Sequence, residues 1–176
     1  MIFTETNLKD AFVIDLEKVA DKRGFFARTY CEREFRSHGL NPRVVQCNAS
    51  FNHLKGTLRG MHFQAAPYEE AKLIRCTRGS IYDAIIDLRR DSPTFKKYFA
   101  VVLSAENGKM LYVPQGFAHG FQTLENDTEV FYQISEFYVA ESARGVRWND
   151  PAFGVEWPAD DRIILDRDQS YPDFTG

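Results

Sequence analysis

Short runs of β-branched and aromatic residues recur along the chain with turn signals between them: FFARTY, RVVQCNASF, AKLIRCT, SIYDAIIDL, YFAVVL, KMLYVP, GFAHGFQTL and TEVFYQISEFY. Strands of that length at that spacing predict an all-β antiparallel sandwich or barrel. The breakers fall where such a fold needs turns, in RG at 78–79, RRDSPT at 89–94, ENGK at 106–109 and VPQGF at 113–117. Only CEREFRSHG, 31–39, carries helical composition, and it runs into a stopping glycine. Past about residue 139 the alternation fades into a loop-rich tail, ARGVRWNDPAFGVEWPADD. With no internal repeat and no low-complexity linker, residues 1–176 read as one domain.

Charge and cysteine usage narrow the function classes. The net charge is −3, with acids and bases interleaved and no Lys/Arg block of the kind that neutralises a phosphate backbone, which argues against a nucleic-acid partner. Cys31, Cys47 and Cys76 are odd in number and lack C-x-x-C spacing, so all three are expected to be small buried hydrophobes in a reduced compartment. The N-terminus MIFTETNLKD has neither a basic nor an apolar signal region, and no run approaches the length of a membrane span. The expectation is a cytoplasmic protein without a membrane partner.

Against that background GTLRGMHFQ, 56–64, is unusual, because it puts an arginine, a central glycine and a histidine into a strand. Strict alternation places Arg59 and His62 on opposite faces, whereas a bulge at Gly60 turns both inward. A lone histidine in a strand is more often a hydrogen-bonded structural residue than a functional one. A second histidine, His119, stands beside a glycine in VPQGFAHGF, and the pair together shifts the balance towards a site. Asp83, in SIYDAII, is an acid on an otherwise apolar strand, placed either to pair with His119 or to face solvent.

Set side by side, the two segments resemble the paired signatures of the cupin superfamily, which are jelly-roll, double-stranded β-helix barrels. The first runs Gly56, His62, Gln64, Glu69 and the second Gly108, Pro114, Gln115, Gly116, His119. Metal-binding cupins carry a second histidine where Gln64 stands, which leaves this chain a ligand short of a usual transition-metal set. A metal-dependent dioxygenase and a non-catalytic sugar-binding cupin are the alternatives to a metal-free enzyme.

GTLRGMHFQ, EEAKLIRCTRGSIYDAIIDLRRDSPTF, YVPQGFAHGF, ARGVRWNDPAFGVEW and DKRGFF together are similar to the dTDP-4-dehydrorhamnose 3,5-epimerase family, from about Asp21 to Asp168. The resemblance implies a cofactor-free epimerase that inverts C3, C5 or both in a nucleotide-linked 4-keto-6-deoxyhexose. Such chemistry needs a base, a cation for the enolate and an acid on the far side. The resemblance supplies His62 as base, Asp168 as its orienting carboxylate, Lys72 near the ketone oxygen and Tyr132 as proton donor. A phenol near its ordinary pKa of ~10 is protonated at neutral pH, and alternation puts Val130, Tyr132 and Ile134 on one face, towards the interior. Arg59, His119, Gln46, Asn48 and Arg167 match substrate-binding positions. Arg23 and Phe26 match positions that the family contributes from a partner subunit of a homodimer, Phe26 packing on the nucleotide base. The chain departs from the family at Arg28 and Ala143, each in place of a usual Glu, and Arg167 replaces a usual Lys.

Overall fold

The structure, a computed structural model, describes residues 1–158 and 161–175, so Ala159 and Asp160 of the tail lie outside the described residues. The chain opens with β1 (Ile2–Glu5) and β2 (Phe12–Asp15), then a hairpin of β3 (Val19–Asp21) and β4 (Gly24–Phe26), and helix α1 (Glu32–Ser37). Eight further strands follow: β5 (Gln46–Asn52), β6 (Thr57–Gln64), β7 (Lys72–Arg78), β8 (Ser80–Asp87), β9 (Tyr98–Ser104), β10 (Met110–Val113), β11 (Phe117–Thr123) and β12 (Thr128–Ile134). The tail adds β13 (Ala143–Gly145), β14 (Ile163–Ile164) and α2 (Asp166–Gln169). It therefore contains paired backbone that the sequence pattern does not predict. β13 and β14 are three- and two-residue pieces held by pairing with β6, too short to show a period of their own.

Two sheets face each other. One has the order β1-β2-β10-β7-β12-β5 and the other β13-β6-β11-β8-β9, with β14 parallel beside β6. Period-two alternation separates what each strand gives to the two sides. Ile74, Cys76, Leu111, Val113 and Val130 of the first sheet meet Ile81, Ile85, Leu103, Phe117 and Phe121 of the second in a core between them. Leu73, Met110 and Tyr112, one register position over, point outward and are covered by Phe35 of α1. Met61, Ala84, Ile86 and Ala118 point outward from the second sheet and are covered by Val146 and Phe153 of the tail. The tail is loop-rich because its work is to cover a sheet face.

Two local expectations are corrected, and the N-terminal strands are additions that the sequence pattern does not predict. FFARTY is not a six-residue strand, since β4 ends at Phe26 where the chain turns into α1. The N-terminal strands IFTE and FVID are only four residues each and exist by extending the first sheet from β10. Of the three cysteines only Cys76 is buried; Cys31 is half-buried and Cys47 is exposed.

Candidate active site

The strand β6 does contain a bulge. His62 pairs with His119 and Arg59 with Phe121, so Gly60 and Met61 together oppose the single Gly120. The parity change turns Arg59 and His62 towards the same cleft. Gly60 is required here because its φ is +117° and a Cβ would stand 2.6 Å from Gly120 Cα and 2.7 Å from the His119 carbonyl oxygen. The glycine serves the close approach of two strands rather than that of a ligand.

The bulge also supplies a hydrogen-bond donor. Gly60 N–H donates to Asp168 Oδ2 at 3.0 Å, while His62 Nε2 lies 2.8 Å from Asp168 Oδ1. Arg167 lies against the same pair, its Nε donating to Oδ1 at 3.2 Å and its Nη2 standing 3.2 Å from His62 Nε2. The Asp168 side chain is 3% exposed and that of His62 34%. Burial pushes the Asp168 carboxyl up, but the hydrogen bonds from His62 and Gly60 and the neighbouring positive charge outweigh it and hold the group below the usual carboxylate range. A carboxylate accepting Nε2–H fixes the tautomer in which Nδ1 carries the lone pair. Tyr171 packs edge-on against the imidazole, with ring centroids 6.4 Å apart.

The facing sheet supplies the rest. Ile134 of β12 is paired with Lys72 of β7 and Gln46 of β5, and Tyr132 with Asn48. Lys72 continues the interior face of Ile74 and Cys76, so its ammonium enters the cleft, where it donates to the His62 carbonyl oxygen at 3.2 Å and pairs with Glu70 at 3.0 Å. Tyr132 packs against the core and edge-on to His119, at 6.0 Å. Burial, with the nearby Asp83 carboxylate adding to it, pushes its phenol well above the ordinary value, so the hydroxyl is a proton carrier at neutral pH.

Asp83 resolves in favour of the histidine. Both are buried, and His119 Nε2 lies 2.7 Å from Asp83 Oδ1. Arg59 Nε donates to Asn52 Oδ1 at 2.8 Å, which fixes the guanidinium at the cleft wall.

These side chains share one cleft with two lobes. The larger, about 620 Å³, is lined by Arg59, His62, Lys72, His119, Tyr132 and Asp168. The smaller, about 230 Å³, adds Gln46, Gln64, Glu70, Glu136, Tyr138 and Tyr171, and the two lobes share His62, Lys72, Asn48, Ile134 and Arg167. Gln64 donates to the carbonyls of Tyr68 and Phe137 and accepts from Val139 N–H, so the position where a metal cupin has its second histidine is used here to tie loops. Glu69 of the cupin signature lines neither lobe; its neighbour Glu70 does.

The family model for dTDP-4-dehydrorhamnose 3,5-epimerase matches residues 5–176. The chain belongs to that family. The Sinorhizobium fredii dTDP-4-dehydrorhamnose 3,5-epimerase is 42% identical, over 98% of this chain and 89% of that protein. Among solved structures, the Elizabethkingia anophelis epimerase superposes with a TM-score of 0.95 at 40% identity, covering 99% of this chain and 96% of that one. The Bacillus anthracis epimerase, solved with TDP and PPi bound, gives 0.94 at 42%, covering 98% of this chain and 99% of that one. The two-sheet architecture is accordingly the cupin-type jelly roll of these epimerases.

Within this family frame, nine of the eleven residues the sequence singles out line the cleft: His62, Lys72, Tyr132, Asp168, Gln46, Asn48, Arg59, His119 and Arg167. Arg23 and Phe26 line neither lobe. They sit on the β3–β4 hairpin, a two-stranded sheet of its own on which Val19, Phe25 and Phe26 are 71%, 57% and 78% exposed. Arg28, at the foot of the hairpin, is ion-paired with Glu34 of α1, and Ala143 lines the smaller lobe. Sequence reasoning misses Glu70, Tyr138 and Tyr171. Glu70 was findable, since it lies two residues before Lys72 and so shares its side of an extended chain.

Proposed function

We propose that the protein is a cofactor-independent epimerase that converts dTDP-4-dehydro-6-deoxyglucose to dTDP-4-dehydrorhamnose by inverting C3 and C5. The observation that carries this is His62 on one sheet, paired with Asp168 of α2 and opening onto a cleft whose opposite wall holds Lys72 and Tyr132. Inversion beside a ketone removes a carbon-bound proton from one face and returns one to the other, and two facing sheets supply the two sides. His62 Nδ1 takes the proton, and Asp168 holds the imidazolium that results. The electron pair moves to the ketone oxygen, where the Lys72 ammonium stabilises the enolate. Tyr132 delivers a proton to carbon from the far face, and exchange with solvent restores both groups.

Arg59 and His119 hold the diphosphate as charged or strongly polar donors, and Gln46 and Asn48 line the approach. The 3,5-epimerase relatives and the TDP bound by the Bacillus anthracis enzyme support a thymidine nucleotide and inversion at both carbons. The working form is a homodimer. An isolated two-stranded hairpin is marginal alone, and the exposed apolar surface of β3–β4 fits an arm laid over the neighbour's cleft, bringing Arg23 to the phosphates and Phe26 to the base. The test is incubation with dTDP-4-dehydro-6-deoxyglucose in deuterated water with NMR detection. Deuterium at C3 and C5 with inverted product is expected, and no exchange at either carbon overturns the reading.

A further inference from the structure

We propose that Glu70 is a specificity residue whose free carboxylate oxygen accepts a hydrogen bond from the sugar hydroxyl next to the ketone. This rests on the epimerase reading, with Lys72 at the ketone oxygen. The Glu70 side chain is only 7% exposed and lines the smaller lobe of the cleft. Its Oε1 pairs with Lys72 Nζ at 3.0 Å, while Oε2 is buried without a hydrogen-bond partner among the described residues. A buried carboxylate oxygen left without a donor is costly, and an ionised carboxylate can only accept. What completes it must therefore carry an O–H or N–H, and the phosphates are excluded by charge.

The ion pair fixes where that donor lies. Because Oε1 holds Nζ, Oε2 sits immediately beside the ammonium and hence beside the ketone that the ammonium faces. Of the two carbons flanking that ketone, C5 bears the methyl group and offers no donor. C3 bears a hydroxyl. Glu70 thus reads the presence of the 3-hydroxyl and holds C3 in register with His62, whose backbone carbonyl the same ammonium contacts.

The experiment measures kcat/KM for deuterium exchange at C5 with the dTDP-linked 4-keto-6-deoxy sugar and with its 3-deoxy counterpart, in wild type, Glu70→Ala and Glu70→Gln. Wild type is expected to prefer the hydroxylated sugar by roughly 10- to 100-fold, the range for a hydrogen bond to a charged acceptor. Glu70→Ala should reduce the preference to within about threefold. Any damage passed on through Lys72 falls on both sugars alike and cancels in the comparison. Glu70→Gln keeps the shape and removes the charge, so it should lower the preference at least about threefold even if the alanine variant folds poorly. A preference unchanged in the variants means that Oε2 is satisfied by water or acts only on Lys72, and overturns the proposal while leaving the epimerase reading intact. Wild-type enzyme that exchanges neither sugar overturns the epimerase reading itself, and the assignment of Glu70 with it.

Discussion

Replacing Asp168 by Asn tests the base assignment most sharply, because it changes one atom and, through it, one proton position. The carboxylate collects three donors: His62 Nε2 at 2.8 Å, Gly60 N–H at 3.0 Å and Arg167 Nε at 3.2 Å. An asparagine has one acceptor oxygen. Kept on Gly60 N–H, it turns its NH2 towards His62 Nε2, and the ring must then place its own proton on Nδ1. That is the nitrogen left to act as base. Loss of a positioned general base costs roughly 10²–10⁴-fold, or about 2.7–5.5 kcal/mol of barrier. The expected result is a fall of that size in C3 and C5 deuterium exchange, with dTDP affinity changed less than about twofold, since the lost interaction belongs to the transition state. The pH dependence of stability supplies a second readout. The Asp168 carboxyl is held below its ordinary 3.8, so its contribution is fully present above that value and lost as pH falls through the lower folded value. Urea unfolding of the asparagine variant should therefore depend less on pH below 3.8 than that of the wild type. Exchange within about threefold of wild type in Asp168→Asn would refute the tautomer argument.

His62→Ala should abolish exchange at both carbons while binding dTDP, and wild-type exchange in that variant removes the histidine from the mechanism. Tyr132→Phe should lower inverted product by roughly 10²–10⁴-fold while exchange with retained configuration persists, because abstraction by His62 is untouched; near-wild-type inversion would assign the far-face proton to another source. Gly60→Ala forces a Cβ to within 2.6 Å of Gly120 Cα at a φ of +117°, and should cost about 2–4 kcal/mol in urea unfolding. An unchanged midpoint would mean that the bulge can relax. His62→Ala and Arg23→Ala subunits, each inactive alone, should on mixing recover roughly a quarter of wild-type activity, since half of randomly paired dimers then hold one unmutated site; no recovery would place Arg23 in its own subunit's site.

Much of the fold was legible because the strands of the two facing sheets are half core and half cover, and so carry a clean period of two. β10 is an example: Leu111 and Val113 go to the inter-sheet core, Met110 and Tyr112 to α1. The bulge was legible for a different reason, since a glycine between Arg59 and His62 makes no sense in an unbroken strand. What pattern alone does not supply is the partnership of His62 with Asp168, which are 106 residues apart. Spacing gives no warning of such a contact, and the resemblance to a family named it. The N-terminal strands escaped because four residues each are too few to show a period of their own; β1 forms the sheet edge and β2 lies between it and β10. The expectation of buried cysteines failed at Cys47 because β5 is the outer strand of its sheet, where a small side chain can face solvent.

Core and site are built by the same strands at successive positions of the same face. On β7, Cys76 and Ile74 pack between the sheets and Lys72, two residues on, enters the cleft; on β12 the same step leads from Val130 to Tyr132. The register then does what flexible loops could not. Lys72 is held by ladders on both flanks, at Ile134 and Val113, and Tyr132 likewise at Ile74 and Asn48, while His62 is locked opposite His119. A proton transfer to carbon tolerates little error in the position of base, cation and acid. In the proposed mechanism, having all three on paired strands, with the bulge supplying the one change of parity that brings His62 inward, would meet that demand with side chains ordered before substrate arrives. It follows that Ile74 and Val130, although they touch no substrate, set the reach of Lys72 and Tyr132. Trimming either should lower turnover through misplacement before it unfolds the barrel.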